Sequence, residues 1–439
     1  MSGDLPFGFT PGDDEGDRTP NPFGAGGFDP SNLDMAQFGA ALQQLGRMMQ
    51  SGGGDGSAVN WELARDTARQ VVAGEGDPSV GDAERREVLE ALDLASLWLD
   101  PVTSFPATTS GGAAWSRSEW IEETLPAWRR IVEPVAAKVN ESMTAMLPTS
   151  GLPEGLPPEI AQMAGPLLGM ARQMGALMFG TQFGQGLAQL ASEVVGAGDV
   201  GIPLTDDGRA VLLPRNVAEL GSGLGVPIEE VRLYLALREV AAQRLFVHVP
   251  WLRSQLAAAV EAYAAGIHVD RERIEEAARG IDPSNPESMQ EILASGVFVP
   301  DDSPEQLAAL ARLESLLALV EGWIDDVVTE AAEGRLPSAG ALRETMRRRR
   351  ASGGPAERTF ATLVGLELRP RLLREASALF AAVRTERGAT ARDDLWEHPD
   401  LLPTPQDLDS DEAAADFVRR SAPLDLSGLE DTPPAEPDA

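Results

Sequence analysis

The stretch Val226–Leu252, VPIEEVRLYLALREVAAQRLFVHVPWL, constrains the fold more than any other part of the chain. Pro227 suits a first helical position, and Glu229 and Glu230 put negative charge at the positive end of the helix dipole. Val231, Leu235, Ala242, Leu245 and Phe246 then recur at helical spacing. Most other apolar patterns along the chain also repeat every three or four residues. The expected fold class is therefore mainly α, with at most a small β-hairpin or edge sheet.

Residue inventory narrows the chemistry. The chain has 439 residues and no Cys, which excludes disulfides, thiolate nucleophiles and Cys-ligated zinc. Its three His are His248, His268 and His398, and the closest pair is 268 − 248 = 20 residues apart, so no two share one helical turn. Formal net charge is −33. That surplus disfavours nucleic acid and anionic membrane partners, which select clustered Lys and Arg, and is compatible with basic partners. The opening residues MSGDLPFGFTPGDDEGD lack a basic region followed by an apolar run, so no secretory signal is read there and a cytoplasmic location is expected.

Within the organising helix, Arg238-Glu239-Val240-Ala241-Ala242 lies in the frame of H-E-x-x-H, the pattern that places two zinc-binding His one turn apart with a Glu as general base. Ala236-Leu237-Arg238-Glu239, Phe246 and Val249-Pro250-Trp251-Leu252 together resemble a bacterial family of zincin-like metallopeptidases, the uncharacterised zinc-dependent metalloprotease or hydrolase type. Val320-Glu321-Gly322-Trp323 resembles a second landmark of that family. Leu5–Phe9 and Leu363–Arg369 also fit, and the resemblance covers most of 31–400. It implies a zincin-like core, with Glu239 at the general-base position and Glu321 at the third-ligand position. Arg238 and Ala242 stand where the two His ligands would be, so the motif is degenerate. The resemblance also places an edge strand beside the cleft, just upstream of the organising helix.

The chain divides, on composition and periodicity, into four parts: a flexible segment 1–56, a helical part 57–147, a zincin-like helical core 148–400 and a disordered acidic tail 401–439. In the first part, Phe7, Phe9, Phe23 and Phe28 punctuate a Gly/Pro/Asp-rich sequence. Met35, Phe38, Leu42, Leu45 and Met49 then mark an amphipathic helix near 31–50, and Ser51–Ser57, SGGGDGS, reads as a linker. In the second part, helices are expected around Trp61–Val71, at Asp82–Leu99 and from Ser118 toward Met146, with Pro126 a potential kink. Trp61, Trp98, Trp115, Trp120 and Trp128 are expected in the core.

In the third part, Pro/Gly-rich 148–160 is a break. Ile160–Val195 reads as two buried helices packed through small residues, its Met filling gaps; Arg172 and its Gln residues interrupt it too often for a membrane span. Thr205-Asp206-Asp207-Gly208 signals a hairpin within Gly201–Pro214. Helices follow at Trp251–Ala265, 270–278 and 286–294. Ser303-Pro304-Glu305-Gln306 is a capping box opening a helix to about Glu333, with Gly322 inside it at a close packing contact. Arg347–Arg350 reads as a solvated helix end that pairs with the carboxylate surplus, with an anion or nucleic-acid contact as the sharper alternative. Helices resume at 357–368 and 370–387. Residues 393–439 carry fourteen acidic and two basic residues and are expected to be mobile.

Catalytic zinc needs three good ligands and an open position. Arg238 repels a cation and Ala242 offers no donor atom, so no cofactor is expected. Buried Glu239 would need a partner, and an Arg among Arg343–Arg350 or Arg369 is the expected one. A carboxylate site for a hard cation, built from Glu239, Glu321 and Asp325 or Asp326, is the alternative. The expected function is that of a binding or scaffold protein with an unidentified protein or peptide partner. The rival is a zinc-dependent metallopeptidase or hydrolase with a non-standard ligand set.

Overall fold

The computed structural model describes residues 57–145, 158–266, 303–351 and 372–421. Asn60 starts the first helix, α1 (Trp61–Gly74), its side chain accepting the Leu63 N–H at 3.0 Å. Helix α2 (Asp82–Leu99) begins after Gly81, whose N–H is held by Glu84 at 3.0 Å. Strand β1 (Ala113–Ala114) leads into α3 (Arg117–Ala145), which runs through Pro126 and Pro134 without ending. Next come α4 (Pro158–Glu193), strand β2 (Val211–Leu212) and α5 (Pro214–Gly221). The organising helix is α6 (Ile228–His248), followed at once by α7 (Pro250–Ala265). Helix α8 (Pro304–Ala332) carries the expected capping box: Ser303 Oγ accepts the Gln306 N–H at 3.2 Å and Gln306 accepts the Ser303 N–H at 2.9 Å. The last helices are α9 (Ala339–Ala351), α10 (Leu373–Asp394), which bends at Gly388 with φ +90°, and α11 (Asp411–Arg420).

Helix α6 earns its central place through burial on every side. From Tyr234 to Phe246 every side chain is buried, including Arg238, Glu239, Gln243 and Arg244. A helix without an exposed face must be surrounded, and α2, α5, α7, α8, α9 and β2 all pack on it. Helix α8 is its main partner toward the site and lies in turn against α10. Gly322 makes that second contact possible: a Cβ there would sit 2.6 Å from Ala376 Cβ and 2.8 Å from the Ser377 amide. Four of the five tryptophans expected in the core of the second part are buried, while Trp98 is half-buried with the Arg335 guanidinium 5.5 Å over its ring.

Several expectations need correction. The hairpin in 201–214 does not form. Instead β2 pairs in parallel with β1, Ala113 opposite Val211, and an isolated antiparallel bridge joins Leu212 to Gly196. Both edges of Leu212 are thus taken by distant segments, and the turn residue Asp206 is drawn away to Arg130 and Arg253, at 2.6 and 3.0 Å. The stretch expected as two helices is a single one, α4, which continues through Pro166 to Glu193. Its Met174 and Met178 are exposed, not gap-filling core.

One cluster of buried side chains runs from Val59 to Val418, with α1 and α3 both against α4. The first part of the acidic tail is ordered. Leu402, Leu408, Phe417 and Val418 bury on the core beside Trp396, and Asp407 pairs with Arg420 at 2.5 Å. The PFGF segment, the amphipathic stretch 31–50, its linker up to residue 56, the helices expected at 270–278, 286–294 and 357–368, and residues 422–439 lie outside the described residues. Among the described residues, no helix is long and apolar enough to cross a membrane.

Candidate functional site

Four segments converge where the motif positions fall. Helix α6 supplies Arg238, Glu239, Ala242 and Gln243; α8 supplies Glu321; α9 supplies Arg349 and Arg350; and the loop Val195–Val200 lies across them. The loop comes this close because it is glycine-rich. A Cβ on Gly196 would be 2.5 Å from Glu239 Oε2, and one on Gly198 would be 2.9 Å from the Ala242 methyl. The free volume left between these groups is about 20 Å³, the room of a single water.

Adjacent residues on a helix point in different directions, and Arg238 and Glu239 divide accordingly. Glu239 turns toward the loop and β2. Its Oε2 accepts the Gly198 N–H at 2.8 Å, and its Oε1 accepts the Val211 N–H at 3.2 Å and the Gln243 side-chain amide at 3.0 Å. Burial pushes its carboxyl up to about 7, against the pull of those three donors. No arginine reaches it among the described residues, so the expected ion pair with Arg343–Arg350 is not made; Arg369 lies outside those residues. Both Glu239 oxygens are met by N–H donors instead, and the arginine goes elsewhere.

That arginine is Arg350, and its target is Glu321. Arg350 Nη2 donates to Glu321 Oε1 at 2.6 Å, and Arg238 Nη2 donates to Glu321 Oε2 at 2.5 Å. Both oxygens of Glu321 are therefore engaged by guanidinium groups, one from α6 and one from α9. Burial works against the Arg238 charge, but Glu321 beside it holds the guanidinium more firmly protonated than usual. Asp199 anchors the other side of the cleft. It takes Arg349 at 2.8 Å and the Val195 N–H at 3.1 Å, and Arg350 also donates to its backbone carbonyl. Burial would raise Asp199, yet Arg349 and Arg350 bring it down to about 2.

The Arg347–Arg350 run is therefore not a solvated helix end. Only Arg348 is exposed, paired with Glu344. Arg347 joins Arg343 and Ser377 on Asp325, at 2.7, 2.7 and 2.6 Å. Asp326 is held separately by Arg384 and Arg392, at 3.0 and 2.9 Å. Each buried carboxylate of α8 has arginines of its own, so the alternative hard-cation site with Asp325 or Asp326 is not assembled. Among the described residues no three His, Asp or Glu side chains are grouped so as to hold a metal ion. His248 ends α6 away from the cleft, its Nδ1 2.8 Å from the Arg244 carbonyl and its ring stacked on Phe105.

Sequence reasoning identified Arg238, Glu239, Ala242 and Glu321, and the structure brings all four to one cleft. It missed Gly196, Gly198, Asp199 and Gln243. The cluster Val195-Gly196-Ala197-Gly198-Asp199-Val200-Gly201 was the available signal, since closely spaced glycines mark close backbone approach.

A family model described as "Zincin-like metallopeptidase" matches residues 59–414. The chain belongs to the zincin-like metallopeptidase family. A solved structure from Chloroflexus aurantiacus, described as "a putative hydrolase with a novel fold", is similar to this zincin-like chain with a TM-score of 0.57 at 20% identity, over 82% of this chain and 98% of that one. At that identity the likeness concerns the fold. Among curated proteins, none matches in sequence. Zinc, which the family implies, does not fit the residues present: Glu321 has both oxygens on arginines, Ala242 carries no donor, and Glu239 faces three N–H groups.

Proposed function

We propose that this zincin-like protein works without metallopeptidase chemistry, as a binding or scaffold protein in the cytoplasm that engages a protein or peptide partner. The observation that carries this reading is Glu321 clasped between Arg238 and Arg350. Two guanidinium groups supply the positive charge that a zinc ion would supply, and they leave no open coordination position for substrate or water activation. The arrangement turns a catalytic cleft into an internal strut linking α6, α8 and α9. The net charge of −33 favours a basic partner surface over nucleic acid.

The rival reading, a zinc-dependent hydrolase with a non-standard ligand set, draws on one observation. Glu239 remains in the cleft with its carboxyl pushed up to about 7, a range suited to a general base at neutral pH. It would require both Arg238 and Arg350 to leave Glu321. The test is proteolysis and ester hydrolysis measured with a peptide library, with and without added zinc, for the natural chain and for Glu239→Gln. The binding reading expects no cleavage that differs between the two. Zinc-stimulated cleavage that disappears in Glu239→Gln would establish the rival.

A further inference from the structure

The outer side of α4 presents Met174 and Met178 at 60% and 59% exposure, one turn apart, with Gln185 and Gln189 continuing the same exposed line. The two methionines together make a small exposed apolar patch on this face. No charged residue occurs from Gln173 to Ser192, in a chain whose net charge is −33.

The opposite side of α4 is fully engaged. The Asn60 N–H donates to the Ala176 carbonyl at 3.1 Å, and Gly180 and Gly184 abut the backbone of Asn60 and Ala64. This fixes where the described chain begins. Ser57 and Ala58 are held by Glu133 of α3, three and two residues before Asn60 meets the stretch of α4 that carries the two methionines on its far side.

Upstream of that point the sequence holds a matching surface. Met35, Phe38, Leu42, Leu45 and Met49 repeat at helical spacing, and residues 35–46 contain no charged side chain. Residues 51–56 join this stretch to Ser57. Extended, they span about 20 Å, which suffices to pass around a helix about 10–12 Å across. The sequence thus holds an uncharged apolar stripe on a short tether, and α4 carries an uncharged apolar patch. We propose that residues 31–50 of this same chain dock on the Met174/Met178 face of α4. A short tether raises the local concentration of the segment, so a tethered contact forms ahead of the same contact between separate chains.

The chain has no cysteine, so one introduced thiol reports on one position. Met178→Cys and Gln189→Cys are labelled with a maleimide in the full chain, each in a background with and without Leu42→Asp and Leu45→Asp. Far-UV circular dichroism and the thermal midpoint check that the fold is kept. Docking predicts that the thiol of Met178→Cys reacts at least about tenfold more slowly than that of Gln189→Cys, since it is exposed only when the segment lifts off. The two aspartates bring the rates together. Equal rates in the unaltered background overturn the proposal. So does slow labelling that persists with the aspartates, or protection that grows with protein concentration and so identifies a second copy as the cover. Protection at Leu97→Cys on α2, another exposed leucine, with none at Met178→Cys, would place the segment elsewhere and also overturn it.

Discussion

Glu321→Gln removes one charge and leaves two buried guanidinium groups facing it. Arg238, with its side chain 10% exposed, loses its 2.5 Å partner, and Arg350, 8% exposed, loses its 2.6 Å partner while keeping Asp199 at 3.4 Å. Removing one member of a buried ion pair costs about 3–5 kcal/mol, because the other charge stays desolvated and uncompensated. The upper half of that range is expected here, since two cations share the one lost anion. The assay is equilibrium urea unfolding followed by tryptophan fluorescence, with the stability change taken from the midpoint at unchanged slope. The companion variant Arg238→Met/Glu321→Leu/Arg350→Met replaces all three charges by apolar groups. It should recover most of the loss, because apolar packing often equals or exceeds a buried ion triad. A Glu321→Gln protein within about 1 kcal/mol of the natural chain would refute the reasoning, by showing that Glu321 does not compensate these arginines.

Three further outcomes follow from the same geometry. Glu239 rises from 4.5 to about 7, so the native state holds this proton more tightly than the unfolded chain; stability should fall as pH rises from 4.5 to 7, by roughly 3 kcal/mol, and level off above. Urea midpoints between pH 5 and 8 should show that slope in the natural chain and a flatter one in Glu239→Gln; equal slopes would contradict the assignment. Ala242→His should lower stability by about 1–3 kcal/mol through overpacking, since Gly198 lies over the Ala242 methyl and about 20 Å³ is free; a thermal midpoint equal to that of the natural chain would count against a closed cleft. Gly322→Ala should cost about 1–3 kcal/mol through its clash with Ala376 and Ser377, whereas Gly340→Ala, with nothing within 4 Å, should be neutral or stabilising in the same melt.

The parts of the fold that sequence revealed are those set by local periodicity and capping. Ser303 and Gln306 announce α8 because a capping box is a reciprocal bond between residues three apart. The bounds of Asp82–Leu99 are legible because its apolar stripe and its ends are both local. The pairing of β1 with β2 was not legible, since two-residue strands carry no period and their partners lie about a hundred positions apart in sequence. In the site, Glu239 and Glu321 could be placed through the family pattern, but the destination of Arg350 could not. An arginine run states a charge without naming its carboxylate, and here neighbouring positions 347, 349 and 350 go to Asp325, Asp199 and Glu321. Met174 and Met178 look like core by composition, and only tertiary packing leaves them exposed.

Zinc titration by isothermal calorimetry into the natural chain and into Glu321→Ala bears most directly on the central claim. With Arg238 and Arg350 holding Glu321, the natural chain should show no saturable site and no difference from the variant. Binding of one zinc per natural chain, abolished by Glu321→Ala, would contradict the account.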